Sequence, residues 1–165
     1  MTEIAARRTA LLSLIFGIAA FLADRLHKFY QVDVVGWRGG EIVPVTGFFD
    51  YVLIWNTGIS YGLLGDLPVA VLGVVIAVAI VALLVWWWKA TDPIVRIGLM
   101  FCIGGALSNA VDRAVYGAVA DFFHFHFQQF SFYIFNIADM SISFGVLLLL
   151  LDLVGFGRKK APDGA

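Results

Sequence analysis

The chain has 165 residues, 61% of them hydrophobic and 14% charged, with a mean hydropathy of +0.92. A soluble domain usually carries about 25% charged residues, and this much apolar side chain cannot be hidden in one small core, so the bilayer is the expected solvent for the excess. The net charge of −1 leaves no basic footprint for nucleic acid, and the lone Cys102, set in an apolar run, excludes an intramolecular disulfide and is badly placed for thiolate chemistry.

Four segments read as membrane helices within one domain, 1–165, that shows no linker or repeat. The first spans about 9–26; Arg7 and Arg8 precede it as in a signal peptide, but Phe21 stands three before a cut after Ala23, where a small residue is required, so it reads as a retained span. A loop over 27–67 follows, too long for a plain connector. Its β-prone runs VDVV and FFDYVLIW, separated by Gly36, Gly39, Gly40 and Gly47, predict a small sheet on the membrane face. The second span, about 68–88, is free of charge and ends in an aromatic belt, Trp86, Trp87 and Trp88. The third covers about 93–111, and Pro68 and Pro93 suit first-turn positions. A loop over 113–137 contains FFHFHFQQFSFYIF, which fits either a hairpin or an interfacial segment, and the fourth span covers about 138–156.

With four spans, Arg7, Arg8, Lys89, Arg96, Arg158, Lys159 and Lys160 fall on one side, against Arg25, Lys28, Arg38 and Arg113 on the other. The positive-inside rule then places both termini in the cytoplasm and both long loops outside. Ionisable groups at membrane depth are costly and rarely idle, and here they gather at the outer helix ends. Asp24 and Lys28 close the first span at i, i+4; Asn109, Asp112 and Arg113 share one face of the third; Asn136 and Asp139 open the fourth; Asp121 lies in the loop between the last two.

Plainer roles fit each of these taken singly. Asp24–Lys28 makes a helix-end salt bridge, Asp112–Arg113 an interfacial anchor, Asp139 an N-cap and Asp121 an ordinary loop carboxylate. His124 and His126 alternate as strand-borne metal ligands do, but no third ligand stands at a recognisable spacing and no metal or cofactor is expected. Spacing therefore gives a polar cluster and not yet a reaction.

Five motifs in order resemble the lipoprotein signal peptidase (signal peptidase II) family: FLADRLHK, NTGISYGLL, GGALSNAVDR, GAVADF and FNIADMSISFG, running from Phe21 to Gly145. The resemblance implies an all-α membrane protein of four transmembrane helices with a small outer-face β-cradle, in the bacterial cytoplasmic (inner) membrane, with its active site near the outer face. It implies an aspartic endopeptidase that removes signal peptides from diacylglyceryl-modified prolipoproteins, cutting on the amino side of the lipidated cysteine. Asp121 and Asp139 fall on the catalytic positions. Asn56, Asn109, Arg113 and Asn136 fall on those that hold substrate, and Asp24, Lys28 and Asp112 on supporting ones. Lipid-modified prolipoprotein, membrane lipid and a cyclic peptide inhibitor are the implied partners. His27, Ile59, Ser108 and Ala120 depart from the usual residues and leave the shape of the substrate pocket open. Phe122, Phe123, Phe125 and Phe127 suggest an apolar flap.

Two carboxylates in a poorly solvated site share a proton, so that one activates water while the other donates to the scissile carbonyl. The rival reading is a small proton or cation transporter, which would need polar groups along the spans; the middles of the second and fourth carry none that ionise.

Overall fold

The computed structural model describes residues 3–58 and 69–155. The start of the second span at 68, the Ile59–Leu64 part of the second motif, the end of the fourth span and the basic residues 158–160 lie outside the described residues. The protein is mostly helical, with α1 (Glu3–Phe29), α2 (Val69–Lys89), α3 (Pro93–Tyr116) and α4 (Ile137–Leu153). Three stretches, Ala6–Val34, Val71–Lys89 and Pro93–Tyr116, are long and apolar enough to cross a membrane. Their outward faces carry exposed Leu, Ile and Val side chains, such as Leu11, Ile18, Val74 and Val78, as lipid-facing helices require.

Helix α3 is the central element and packs against α1, α2 and α4. Its Gly104–Gly105 doublet explains how one helix holds two partners. A Cβ on Gly104 would strike the backbone of Gly17 in α1, and one on Gly105 the carbonyl of Ala138 in α4. Farther along, a Cβ on Gly145 would meet the Gly98 carbonyl and the Cys102 sulfur. Lipid tails are as apolar as leucine, so such close backbone approach, rather than a hydrophobic drive, is what joins membrane helices. At the start of α3, Asp92 caps the helix by accepting from the backbone N–H of Ile94 (2.7 Å), with Pro93 in the first turn as its sequence position predicts.

The two long loops combine into one antiparallel sheet of order β1-β2-β3-β4, made of β1 (Ile42–Thr46), β2 (Phe49–Asn56), β3 (Val119–Phe127) and β4 (Phe130–Ser131). The aromatic segment is thus a hairpin, turning at Gln128. The sheet extends beyond the first loop because β2 pairs with β3, which sets Ile54 opposite Asp121 and Asn56 opposite Val119. Across the same pair Asp50 faces both His124 (3.5 Å) and His126 (3.2 Å).

Two expectations are corrected. VDVV is not a strand: α1 continues into a π-helical turn, Tyr30–Val34, closed by the Val35 N–H on the Tyr30 carbonyl (2.8 Å). The wider turn carries Val32 into a core with Leu53, Ala120 and Phe122, and that burial outweighs β-propensity. Phe122 is fully buried there and belongs to no flap, whereas Phe125 and Phe127 are exposed.

Close helix approach predicts a clear asymmetry among glycines. Gly105→Val should cost about 1–3 kcal/mol by overpacking, whereas Gly73→Ala, whose Cβ meets nothing among the described residues, should leave stability unchanged or slightly raised. Thermal unfolding in detergent measures both.

Candidate active site

The site begins with a buried charge cluster where the C-terminal ends of α1 and α3 meet the N-terminal end of α4. The Lys28 ammonium lies 2.7 Å from Asp24 and 2.7 Å from Asp112, and all three side chains are at most 1% exposed. Arg25 supplies a second cation to Asp112, so two carboxylates face two cations. The remaining lone pairs are used as well. Asp24 accepts from the Ser108 hydroxyl (2.7 Å) and the Ala138 N–H (2.9 Å), and Asp112 accepts from the Ala120 N–H (3.2 Å). Asp24 therefore ties α1 to both α3 and α4, and Asp112 ties α3 to α1 and β3. The i, i+4 ion pair expected of Asp24 and Lys28 is present but is fully buried and shared. Asp112 is no interfacial anchor, because it is 0% exposed.

From this base the polar chain runs toward a cavity of about 300 Å³ lined by Asn56, Asn109, Arg113, Asp121 and Asp139 together with Ile76, Ala106, Val119, Tyr133, Ile134, Ile142 and Ser143. Lys28 donates to Asn109 Oδ1 (3.0 Å), and Asn109 Nδ2 donates in turn to Asp139 (2.9 Å). Asn136 Nδ2 donates to Asp121 (2.6 Å) and Asn109 (3.2 Å), and Asn56 Nδ2 donates to the other oxygen of Asp121 (3.0 Å). Arg113 reaches the Gly58 carbonyl (2.9 Å) beyond the end of β2. The nine residues singled out in the sequence thus fall into two connected groups: Asp24, Lys28 and Asp112 in the buried base, and the other six in or beside the cavity.

Local structure explains the placement of the two cavity carboxylates. Alternation along β3 turns Ala120 and Phe122 into the core beneath the sheet and Val119 and Asp121 to the cavity. Asp139 is not the N-cap of α4. That role belongs to Asn136, whose Oδ1 accepts the Asp139 N–H (2.9 Å) while the Asp139 carboxylate accepts the Asn136 N–H (3.2 Å), a reciprocal capping box. Asp139 occupies its third position and so points one oxygen back along the chain and the other toward Asn109. Tyr133, Ile134, Ile142 and Ser143 were not anticipated as lining residues. Ser143 stands four after Asp139, so the same spacing argument applied to α3 finds it; Tyr133 and Ile134 arrive through chain reversal after β4 and carry no local signal.

Chemically the arrangement presents two carboxylates to one small cavity, solvated mainly by amide donors. Burial and the neighbouring Asp139 push Asp121 up to about 7 from its ordinary 3.8, against the hydrogen bonds from Asn56 and Asn136.

Comparison with known proteins gives this arrangement a family. The model of the signal peptidase (SPase) II family matches residues 16–155; the chain belongs to that family, and it is a multi-pass membrane peptidase. A lipoprotein signal peptidase of Rhodopseudomonas palustris strain TIE-1 is 44% identical over 163 residues, covering 94% of this chain and 98% of the relative. Those of Methylocella silvestris and Nitrobacter hamburgensis are 40% and 44% identical, covering 87% and 84% of this chain and 89% of each relative. A solved structure described as a bacterial membrane enzyme superposes with a TM-score of 0.80 over 93% of this chain and 94% of that one; at 23% identity it bears on the fold alone.

Two outcomes follow from the electrostatics. Lys28→Met should destabilise the fold by about 3–5 kcal/mol, because it leaves the buried Asp24 without a cation among the described residues and Asp112 with Arg25 alone; unfolding in detergent at pH 7 reads this directly. For Asp121, the unfolded chain ionises near 3.8 and the folded one near about 7, so rising pH favours the unfolded chain across that window and stability falls. Asp121→Asn lacks this loss. Its melting temperature should therefore gain on wild type as pH rises through the window, and a constant difference would contradict the raised proton affinity.

Proposed function

We propose that the chain is a lipoprotein signal peptidase of aspartic type, with Asp121 and Asp139 as its catalytic pair. It removes signal peptides from prolipoproteins, cutting on the amino side of a diacylglyceryl-modified cysteine. The observation that carries the reading is the pairing of two carboxylates on one cavity, each held by amide donors and neither neutralised by a direct ion pair among the described residues. Asp112, the other acid of the third motif, is by contrast committed to Arg25, Lys28 and a backbone N–H.

In the singly protonated pair, the ionised member takes a proton from water as its oxygen attacks the scissile carbonyl carbon, and the protonated member donates to the carbonyl oxygen. The tetrahedral intermediate then collapses, breaking the C–N bond as a proton passes to the leaving amine. The two proton affinities belong to the pair, so the roles of acid and base alternate. Asn109 and Asn136, whose amides already bind the two carboxylates, set their orientation. Arg113 and Asn56 border the cavity and are placed to hydrogen-bond an extended peptide, whose backbone groups would otherwise go unpaired in lipid.

The same proposal treats α4 as a fourth span. Its 17 residues lie at the short end of the crossing range, and Val154–Phe156 continue the apolar run. Both termini then lie in the cytoplasm, and the sheet and cavity on the outer side of the bacterial inner membrane. A cyclic peptide inhibitor of the family would occupy the cavity. Nothing favours transport: α2 contains no ionisable residue before Lys89, and α4 none between Asp139 and Asp152.

Asp121→Asn and Asp139→Asn should each lower cleavage of a purified lipid-modified precursor by about 10²–10⁴-fold while the protein still folds. Near wild-type turnover by either variant would remove that residue from the pair. Activity of wild type should follow a bell-shaped pH profile, falling once the shared proton is lost; a rate that keeps rising with pH would refute the shared-proton scheme.

A further inference from the structure

Beside the polar cavity lies a second one, of about 330 Å³, between α2 and α3. Its walls are Gly73, Ile76, Ala77 and Ile80 on one face of α2, at i, i+3, i+4 and i+7, and Ala110, Arg113 and Ala114 on one face of α3. Except for Arg113 the lining is aliphatic, and much of it is glycine and alanine. Small residues open the groove: among the described residues, a Cβ built on Gly73 meets nothing within 4 Å.

Ile76 and Arg113 line both cavities. The groove therefore opens beside the carboxylates and runs down α2 from Gly73 to Ile80, about 10 Å at the helical rise. Its direction is from the level of the site toward the middle of the bilayer. A water-filled role is excluded by the lining, which offers polar partners only at Arg113.

We propose that the α2–α3 groove is an acyl-chain subsite, which seats one fatty chain of the lipid-modified precursor while its peptide enters the polar cavity. This rests on the proposed peptidase reading, since it assigns a place to the lipid that the substrate carries next to its scissile bond. The junction at Ile76 and Arg113 matches that chemistry. A lipidated cysteine joins a polar backbone to an apolar chain within a few bonds, and here a polar cavity joins an apolar groove through two shared side chains. The small residues leave a slot of about 330 Å³ alongside α2, a volume suited to a stretch of one acyl chain.

The test uses the full-length protein in detergent and two synthetic precursors of identical peptide sequence, one carrying a dipalmitoylglyceryl cysteine and the other a diacetylglyceryl cysteine. Wild type should show the lower KM for the long-chain precursor. Gly73→Leu projects into the groove from a position whose Cβ is unobstructed among the described residues and should raise KM for the long-chain precursor by about tenfold, leaving the short-chain precursor unaffected. Ala77→Leu, from the same wall, should act alike. Val78→Leu, exposed elsewhere on α2, should change neither.

If Gly73→Leu and Ala77→Leu keep the wild-type preference for long chains, the groove is occupied by bulk membrane lipid and the proposal is overturned. If wild type cleaves neither precursor, the peptidase reading itself fails, a result distinct from a normal rate with unaltered chain preference. Melting temperatures of the variants, expected at the wild-type value, separate a blocked groove from a damaged fold.

Discussion

The Lys28 ammonium, held between two carboxylates with almost no access to water, is the interaction on which the rest depends. Burying such a cluster is expensive, and its attraction repays the cost only where every lone pair is also satisfied. That condition accounts for the surrounding geometry. Ser108, the N–H of Ala138 and the N–H of Ala120 must each be where they are to complete Asp24 and Asp112. Ser108 thereby contributes a hydroxyl to Asp24 that a residue without a polar side chain could not. The starts of α4 and of β3 are located by the same ion cluster that joins α1 to α3. Asn109 passes this order on, since it binds Lys28 with its oxygen and Asp139 with its nitrogen.

The close helix contacts serve that arrangement. Gly104 and Gly105 bring α1 and α4 against α3 a single turn below the cluster, so the polar groups at the helix ends face one another at hydrogen-bond distance without a water layer between them. Helix packing in lipid and charge satisfaction are therefore one problem here: without the glycines the carboxylates would be too far apart to share a cation, and without that cation Asp24 would keep only neutral hydrogen bonds in a dry interior.

Much of this was legible in the sequence, and its limits have physical reasons. Apolar runs mark α1, α2 and α3 because lipid demands long uninterrupted stretches, and α3 starts at Pro93 as read; α1 runs past its expected end into the π-turn because Val32 buries against the sheet. Helical spacing grouped Asn109, Asp112 and Arg113 correctly, yet it could not say that Asp112 turns to Lys28 while Asn109 turns to the cavity. The pairing of β2 with β3 was beyond reach because it joins two loops distant in sequence, with a whole helical hairpin between them. The choice of Asp121 rather than Asp112 as the partner of Asp139 rested on motif resemblance alone. Hydrogen bonding is consistent with it: Asp112 is taken up by two cations and a backbone N–H, whereas Asp121, among the described residues, accepts from the side-chain amides of Asn56 and Asn136.

The composite sheet has a practical side. Because the β3–β4 turn at Gln128 is the far tip of a hairpin whose near end carries Asp121, about 20 Å of strand separates the two. The tip is exposed; its ladder pairs His126 with Ser131 and Phe127 with Phe130, and the His126 N–H reaches back to the Phe48 carbonyl (3.0 Å). A dye or epitope inserted between Gln128 and Gln129 would ride on the same strand as the cavity carboxylate without touching it. Small tilts of β3 during peptide entry would be magnified at that tip, which makes it a natural place to watch the molecule at work.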